Sequence, residues 1–168
     1  MTEGGKASSI MGHNVLFLSA FLAFSAAAFL PAVASAAQVE AGIASPVAQA
    51  FQTLGTRYRY GGSSPATGFD CSGLVMHVFA QAWGVALPRN ARAQARVGNP
   101  VARIDLAPGD LVFYNTRNQP YSHVGIYLGE GRFIHAPRPG QRVRIESLES
   151  RYWKARYNGA RRLEPPAG

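Results

Sequence analysis

The side chains able to do covalent chemistry are few and sit in short, distinctive settings. Cys71 is the single cysteine of the chain and lies within Phe69-Asp70-Cys71-Ser72-Gly73-Leu74-Val75. Two histidines follow on segments that alternate like strands, Ser122-His123-Val124-Gly125 and Phe133-Ile134-His135-Ala136. A thiol beside an imidazole is a nucleophile with its base, and a second imidazole can hold the first in one tautomer. A dithiol redox role is excluded, because no second cysteine exists to resolve a mixed disulfide. No metal and no cofactor are expected: neither a carboxylate in these motifs nor a second thiol completes a zinc ligand set around the two histidines.

Asp70 reads as the cap of a helix, which places Cys71 in its first turn. There, unpaired N–H groups and the helix dipole favour an anion, so the thiol is expected to ionise below its ordinary range. The backbone N–H of Cys71 could form part of an oxyanion hole. Gly73 is a poor helix former, and its presence makes sense if another backbone approaches closely. The bland alternative is a buried structural cysteine. Against it, Cys71 stands in the first turn, ahead of the apolar stripe Leu74, Val75, Val78, Phe79 and Ala82. His13 lies in an apolar leader, and His77 falls between apolar helix positions, where a solvated surface residue is expected.

Turn length sets the register of the hairpin joining the histidines. His123, Gly125 and Tyr127 share one strand face, with Val124, Ile126 and Leu128 on the core side. A two-residue turn at Glu130-Gly131 pairs Gly129 with Arg132 and sends His135 to the wrong face. A three-residue loop, Gly129-Glu130-Gly131, pairs Leu128 with Arg132 and sets His135 opposite Gly125, diagonal to His123. The triad requires the three-residue loop, with Gly125 leaving room for two imidazoles to meet; with a two-residue loop His135 is expected to drop out.

The elements that must position these residues come in two blocks. Ser45-Pro46 opens a helix whose Val47, Ala50, Phe51 and Leu54 share a face before Gly55. Tyr58 to Phe69 reads as a loop, Asp70 to Gly84 as the second helix, and Asn90 to Val97 as a third. Strands are expected at 111–114, 123–128, 132–136, 142–145 and 160–163. Helices first and strands second predict an α+β domain with helices packed on one face of an antiparallel sheet.

Around this domain, 1–36 reads as a signal peptide: an uncharged apolar run, Pro31, then Ala34-Ser35-Ala36 for cleavage. An uncleaved inner-membrane anchor is the alternative. Residues 37–44 form a short linker, 45–163 the domain and 164–168 a tail. The 132 residues after the leader keep sixteen basic and eight acidic side chains, a net charge of +8. That excess favours a polyanionic surface such as a cell wall, and export argues against nucleic acid. A merely solvated surface explains most of these charges equally well.

These motifs, with Tyr58-Arg59-Tyr60-Gly61-Gly62, Leu87-Pro88-Arg89, Pro108-Gly109-Asp110-Leu111-Val112 and His123-Val124-Gly125-Ile126-Tyr127-Leu128-Gly129, resemble the NlpC-type cell-wall cysteine peptidases. The resemblance runs from about Val47 to Leu163. It implies a papain-like fold and hydrolysis of peptide bonds in peptidoglycan stem peptides. By it Cys71 is the nucleophile, His123 the base and His135 the third polar residue, with Tyr58 beside the nucleophile. Asp70 and Ser72 match positions that recognise a substrate amine in some members. Arg89 would meet either a substrate carboxylate or a structural salt-bridge partner. Residues 54–59 and 152–158 further resemble the Gram-negative murein endopeptidases of that family, which implies cleavage of D-alanyl–meso-diaminopimelate cross-links. The γ-D-glutamyl–diaminopimelate bond within one stem, an amidase activity and a non-catalytic wall-binding module are the competing readings. A monomer in the periplasm or medium is expected, with an adaptor or regulatory protease by analogy. Ser63 to Gly68 would lie at the cleft rim.

Overall fold

The computed structural model describes residues 45–166. The expected signal peptide and linker lie outside the described residues, as do the last two positions of the tail. Helices α1 (Pro46–Phe51), α2 (Cys71–Trp83) and α3 (Ala91–Gln94) come first, with a two-stranded ribbon, β1 (Ser63–Ser64) and β2 (Gly68–Phe69), just before α2. Strands β3 (Asn99–Val101), β4 (Leu111–Tyr114), β5 (His123–Gly129), β6 (Arg132–His135), β7 (Arg144–Ser147) and β8 (Tyr157–Arg162) follow, and a one-turn helix α4 (Arg151–Lys154) precedes β8. No described helix is long and apolar enough to cross a membrane.

Local chemistry explains the helix bounds. Ser45 Oγ accepts from the Val47 amide and Pro46 occupies the first turn of α1. Asp70 caps α2 at one end, and Gly84 ends it in the left-handed conformation with φ 66°. Asn90 caps α3, which is four residues long and shorter than the expected 90–97. Helix α1 also stops early. Phe51 and Leu54 remain 44% and 42% exposed, and within the helix only Pro46 and Ala50 are buried.

All sheet pairs are antiparallel, in the order β3-β8-β4-β5-β6-β7. β4 to β7 form a meander, and the last strand returns to lie beside β4. Helix α2 packs on β5 through Leu74, Val75, Val78 and Phe79, all fully buried with Phe113, Val124, Ile126 and Ile134. At about 1.5–3 kcal/mol per side chain, this stripe alone gives a gross burial term on the order of 6–12 kcal/mol. The fold is thus α+β, as expected, with one difference. The opposite sheet face is also covered: Trp153 of α4 packs on Val112, Tyr114 and Phe133.

The β5–β6 hairpin corrects the expected loop. Glu130 and Gly131 both take positive φ, 52° and 68°, and Gly129 faces Arg132 across a two-residue turn. Leu128 then bulges from the ladder, so Tyr127 faces Phe133 and Ile126 faces Ile134. One step further along that ladder puts His135 opposite Gly125. The bulge supplies the residue the longer loop would have supplied. Gly125 is also needed for a different reason from the expected one: a Cβ there would lie 2.6 Å from a Phe133 ring carbon and 2.8 Å from the Ile134 carbonyl oxygen.

Candidate active site

Asp70 organises the mouth of α2. Its Oδ1 accepts from the Gly73 amide at 2.7 Å and its Oδ2 from the Gly61 amide at 2.9 Å. The Asp70 amide in turn donates to the Gly62 carbonyl at 3.0 Å. These bonds sew the Tyr58–Gly62 segment to the start of the helix. Arg89 grips the same carboxylate with both terminal nitrogens, at 3.1 and 2.6 Å, and also reaches Ser72 Oγ at 3.0 Å. Burial works to raise the Asp70 pKa, but the Arg89 and backbone hydrogen bonds outweigh it and hold the carboxyl below its usual value. Of the two readings of Arg89, the salt bridge is the one formed. Both Asp70 oxygens are engaged as well.

The Gly73 expectation holds in detail. A Cβ at Gly73 would stand 2.0 Å from the Gly62 carbonyl oxygen, so the neighbouring backbone occupies the space a side chain would need. Gln94 is a residue that sequence reasoning missed. It is fully buried and donates to the carbonyls of Ser72 at 3.1 Å and Pro88 at 2.8 Å, which pins the first turn of α2 from behind.

Cys71 keeps part of its surface open to the cleft, but its sulfur lies deep enough that burial pushes the thiol pKa up. The amides of Val124 and Ser72 pull the other way without overcoming that burial. This corrects the expectation of a thiol depressed by the helix terminus: desolvation outweighs the dipole. His123 and His135 are both buried, and His123 Nε2 lies 2.8 Å from His135 Nδ1. The His123 ring stacks on Trp153 at 5.4 Å, with 22° between the planes. Burial pushes both imidazoles below their ordinary pKa, His123 strongly so, with mutual repulsion adding to the effect on His123. All three shifts favour the neutral thiol and the neutral imidazoles.

Two cavities flank Cys71. One, of about 450 Å³, is lined by Cys71, His123, Tyr58, Arg117, Arg138 and Arg144 among others. The second, of about 310 Å³, is lined by Cys71, Tyr58, Arg117, Asp70, Ser72 and Arg89 among others. Tyr58, Cys71 and Arg117 border both, so the thiol sits at the waist of a continuous cleft. Burial, then the nearby Cys71 and Asp70, raise the Tyr58 pKa, so its phenol stays protonated. All seven residues singled out in the sequence line this cleft or, in the case of His135, stand directly behind it.

Others were not singled out. Arg117, in the β4–β5 loop, exerts its charge on Tyr58, Cys71 and His123. Glu146 of β7 reaches His135 Nε2 at 3.5 Å and accepts hydrogen bonds from Arg144 and Trp153. Those contacts, against a smaller burial effect, lower its pKa to about 2. A lone strand glutamate carries no local signal, and two of its three partners, His135 and Trp153, come from other elements. His77, expected in solvent, is half-buried against Phe69 at 5.1 Å, and burial lowers its pKa.

The family model for the NlpC/P60 family matches residues 55–162. The chain belongs to this family. It is 46% identical over 118 residues to the murein DD-endopeptidase MepH of Escherichia coli (strain K12), covering 68% of this chain and 44% of that protein. It is 48% identical over 119 residues to a gamma-DL-glutamyl hydrolase of Bacillus subtilis (strain 168), covering 70% of this chain and 29% of that protein. The chain thus spans less than half the length of either relative. The crystal structure of the NlpC/p60 domain of the peptidoglycan hydrolase SagA superposes with a TM-score of 0.62 at 35% identity, covering 71% of this chain and 97% of that domain. The fold is the papain-like one of that family.

Proposed function

We propose that this chain is an exported peptidoglycan hydrolase, a thiol-dependent endopeptidase that cuts D-alanyl–meso-diaminopimelate cross-links between murein stem peptides. The observation that carries the reading is the cleft itself: Cys71 at the head of α2 opens into the same cavity as His123, whose far nitrogen is held by His135. Because Nε2 of His123 is engaged by His135, Nδ1 is the nitrogen that serves the thiol.

When substrate fills the cleft, His123 Nδ1 takes the Cys71 proton as Sγ attacks the scissile carbonyl carbon. The oxyanion is held by the Cys71 amide at the helix start. Collapse breaks the C–N bond, and the imidazolium returns its proton to the departing amine. Water, deprotonated by His123, then cleaves the thioester and restores the thiol. Burial, which favours the neutral thiol and the neutral imidazole, suits general-base attack.

Arg117 and Arg138 give the larger half of the cleft a basic wall, while Arg144 there is paired with Glu146. That wall suits the carboxylates that stem peptides carry, and the net +8 charge suits an anionic cell-wall surface. Export by the leader puts the enzyme in the periplasm or medium. Asp70 and Ser72 act by fixing the cleft wall, since Arg89 and two amides already take up the carboxylate. The similarity to a gamma-DL-glutamyl hydrolase favours one second reading, cleavage of the γ-D-glutamyl–diaminopimelate bond within a stem. Digestion of purified sacculi followed by mass spectrometry of the muropeptides separates the two. Dimers falling to intact monomers supports the cross-link reading, and shortened stems support the other. Equal digestion by Cys71→Ala overturns both.

A further inference from the structure

We propose that Glu146 is a positioning residue that sets the proton direction of the histidine pair, and through it the basic nitrogen presented to Cys71. This rests on the Cys71–His123–His135 reading above. On β7 Arg144 pairs with His135 and Glu146 with Phe133, so Glu146 is the diagonal neighbour of His135 on the same sheet face. Its Oε1 stands 3.5 Å from His135 Nε2. At that distance the contact is electrostatic rather than a full hydrogen bond. Among the described residues Nε2 has no other polar partner, although the side chain is completely buried.

The carboxylate is anchored from two further sides. Oε2 accepts from the Trp153 indole N–H, and Oε1 accepts from the Arg144 guanidinium. An ionised carboxylate only accepts hydrogen bonds. It therefore favours a proton on His135 Nε2, since the reverse tautomer would point a lone pair at an anion. His135 Nδ1 is then an acceptor, so the hydrogen in the 2.8 Å contact belongs to His123 Nε2. That leaves His123 Nδ1 with its lone pair directed at the cleft. A proton reversed at any link would put a hydrogen on His123 Nδ1 and disable it as a base. The same anion favours imidazolium on His123 once the thiol proton has moved. A histidine as third residue, weak as an orienter when neutral, thus gains a charge behind it.

The test uses the full chain labelled with ¹⁵N-histidine, read by NMR at neutral pH, together with muropeptide hydrolysis. The wild type should show both His123 and His135 as Nε2–H tautomers. A hydrogen on Nδ1 of His123 overturns the proposal without any variant being needed. Glu146→Gln, whose amide can donate as well as accept, should mix the His123 tautomers and lower kcat by about 10- to 100-fold, with KM little changed. Glu146→Asp keeps an anionic carboxylate on a shorter stem and should retain more of the tautomer preference and of kcat than Glu146→Gln. If the two variants scramble the tautomers equally, the packing at position 146 and not its charge sets them, and the proposal fails. An unchanged tautomer and kcat in folded Glu146→Gln also overturns it. Failure of the parent reading looks different: a wild type that shows the expected tautomers but hydrolyses no muropeptide.

Discussion

Gly73→Ala sets two opposing effects against each other, and the structure decides the sign. Alanine is better than glycine within a helix by about 1 kcal/mol, so propensity alone predicts a more stable protein. The new Cβ, however, would lie 2.0 Å from the Gly62 carbonyl oxygen and 3.0 Å from its carbon, both rigid backbone atoms. Relief requires the Gly61–Gly62 turn to retreat by about an ångström, an overpacking cost of about 1–3 kcal/mol. That retreat stretches the 3.0 Å bond from the Asp70 amide to Gly62, worth about 1 kcal/mol more. The net expectation is destabilisation by about 1–3 kcal/mol in urea unfolding. Hydrolysis should fall further than stability, because the same turn carries Tyr58 against the thiol. A variant as stable as the wild type, or more so, would refute the close-approach argument.

Arg89→Met leaves the Asp70 carboxylate with its two amides and Ser72 but without its bidentate partner. Because the Arg89 side chain is 43% exposed, water replaces part of the loss, and unfolding should show about 1–2 kcal/mol of destabilisation. No change would mean the ion pair contributes nothing. Acid should destabilise the fold in two stages. His123 and His135 have folded pKa values below 6.5, so below that pH the unfolded chain binds more protons and stability falls. Glu146, lowered from 4.5 to about 2, adds a second loss as pH drops from 4.5 toward 2. Thermal melts from pH 8 to 3 read both stages, and a melting temperature that rises between pH 7 and 5.5 contradicts the buried neutral pair. Deleting Leu128 removes the bulge yet keeps Tyr127 opposite Phe133 and His135 on its face. The deletion should therefore retain muropeptide hydrolysis, and a folded but inactive product would contradict the register.

Much of the site was legible because its signals are local. Asp70 before Cys71, Ser45-Pro46, Asn90 and Gly84 are caps whose chemistry acts within one turn, and each marks a helix end in the structure. Gly73 announced a close approach because a glycine in a helix otherwise has a cost. What escaped depends on distant partners. The Leu128 bulge could not be told from a longer loop, since both place His135 alike. The stretch from Arg151 to Lys154 has no apolar periodicity, which hid the short helix that brings Trp153 onto the histidines. Gln94 and Glu146 meet their partners only after separate elements pack. The thiol's raised pKa follows from the depth of the cleft, which the capping pattern alone does not convey.

The central claim is that Cys71 Sγ is the attacking atom, and the composition of the chain makes this unusually direct to test. With one cysteine in the sequence, any thiol label reports on that residue alone. Titration of the protein with iodoacetamide, following intact mass and cleavage of a purified cross-linked muropeptide dimer, should show activity falling in proportion to the carboxamidomethylated fraction, with excess dimer slowing the labelling. Full modification of Cys71 with hydrolysis undiminished would contradict the account.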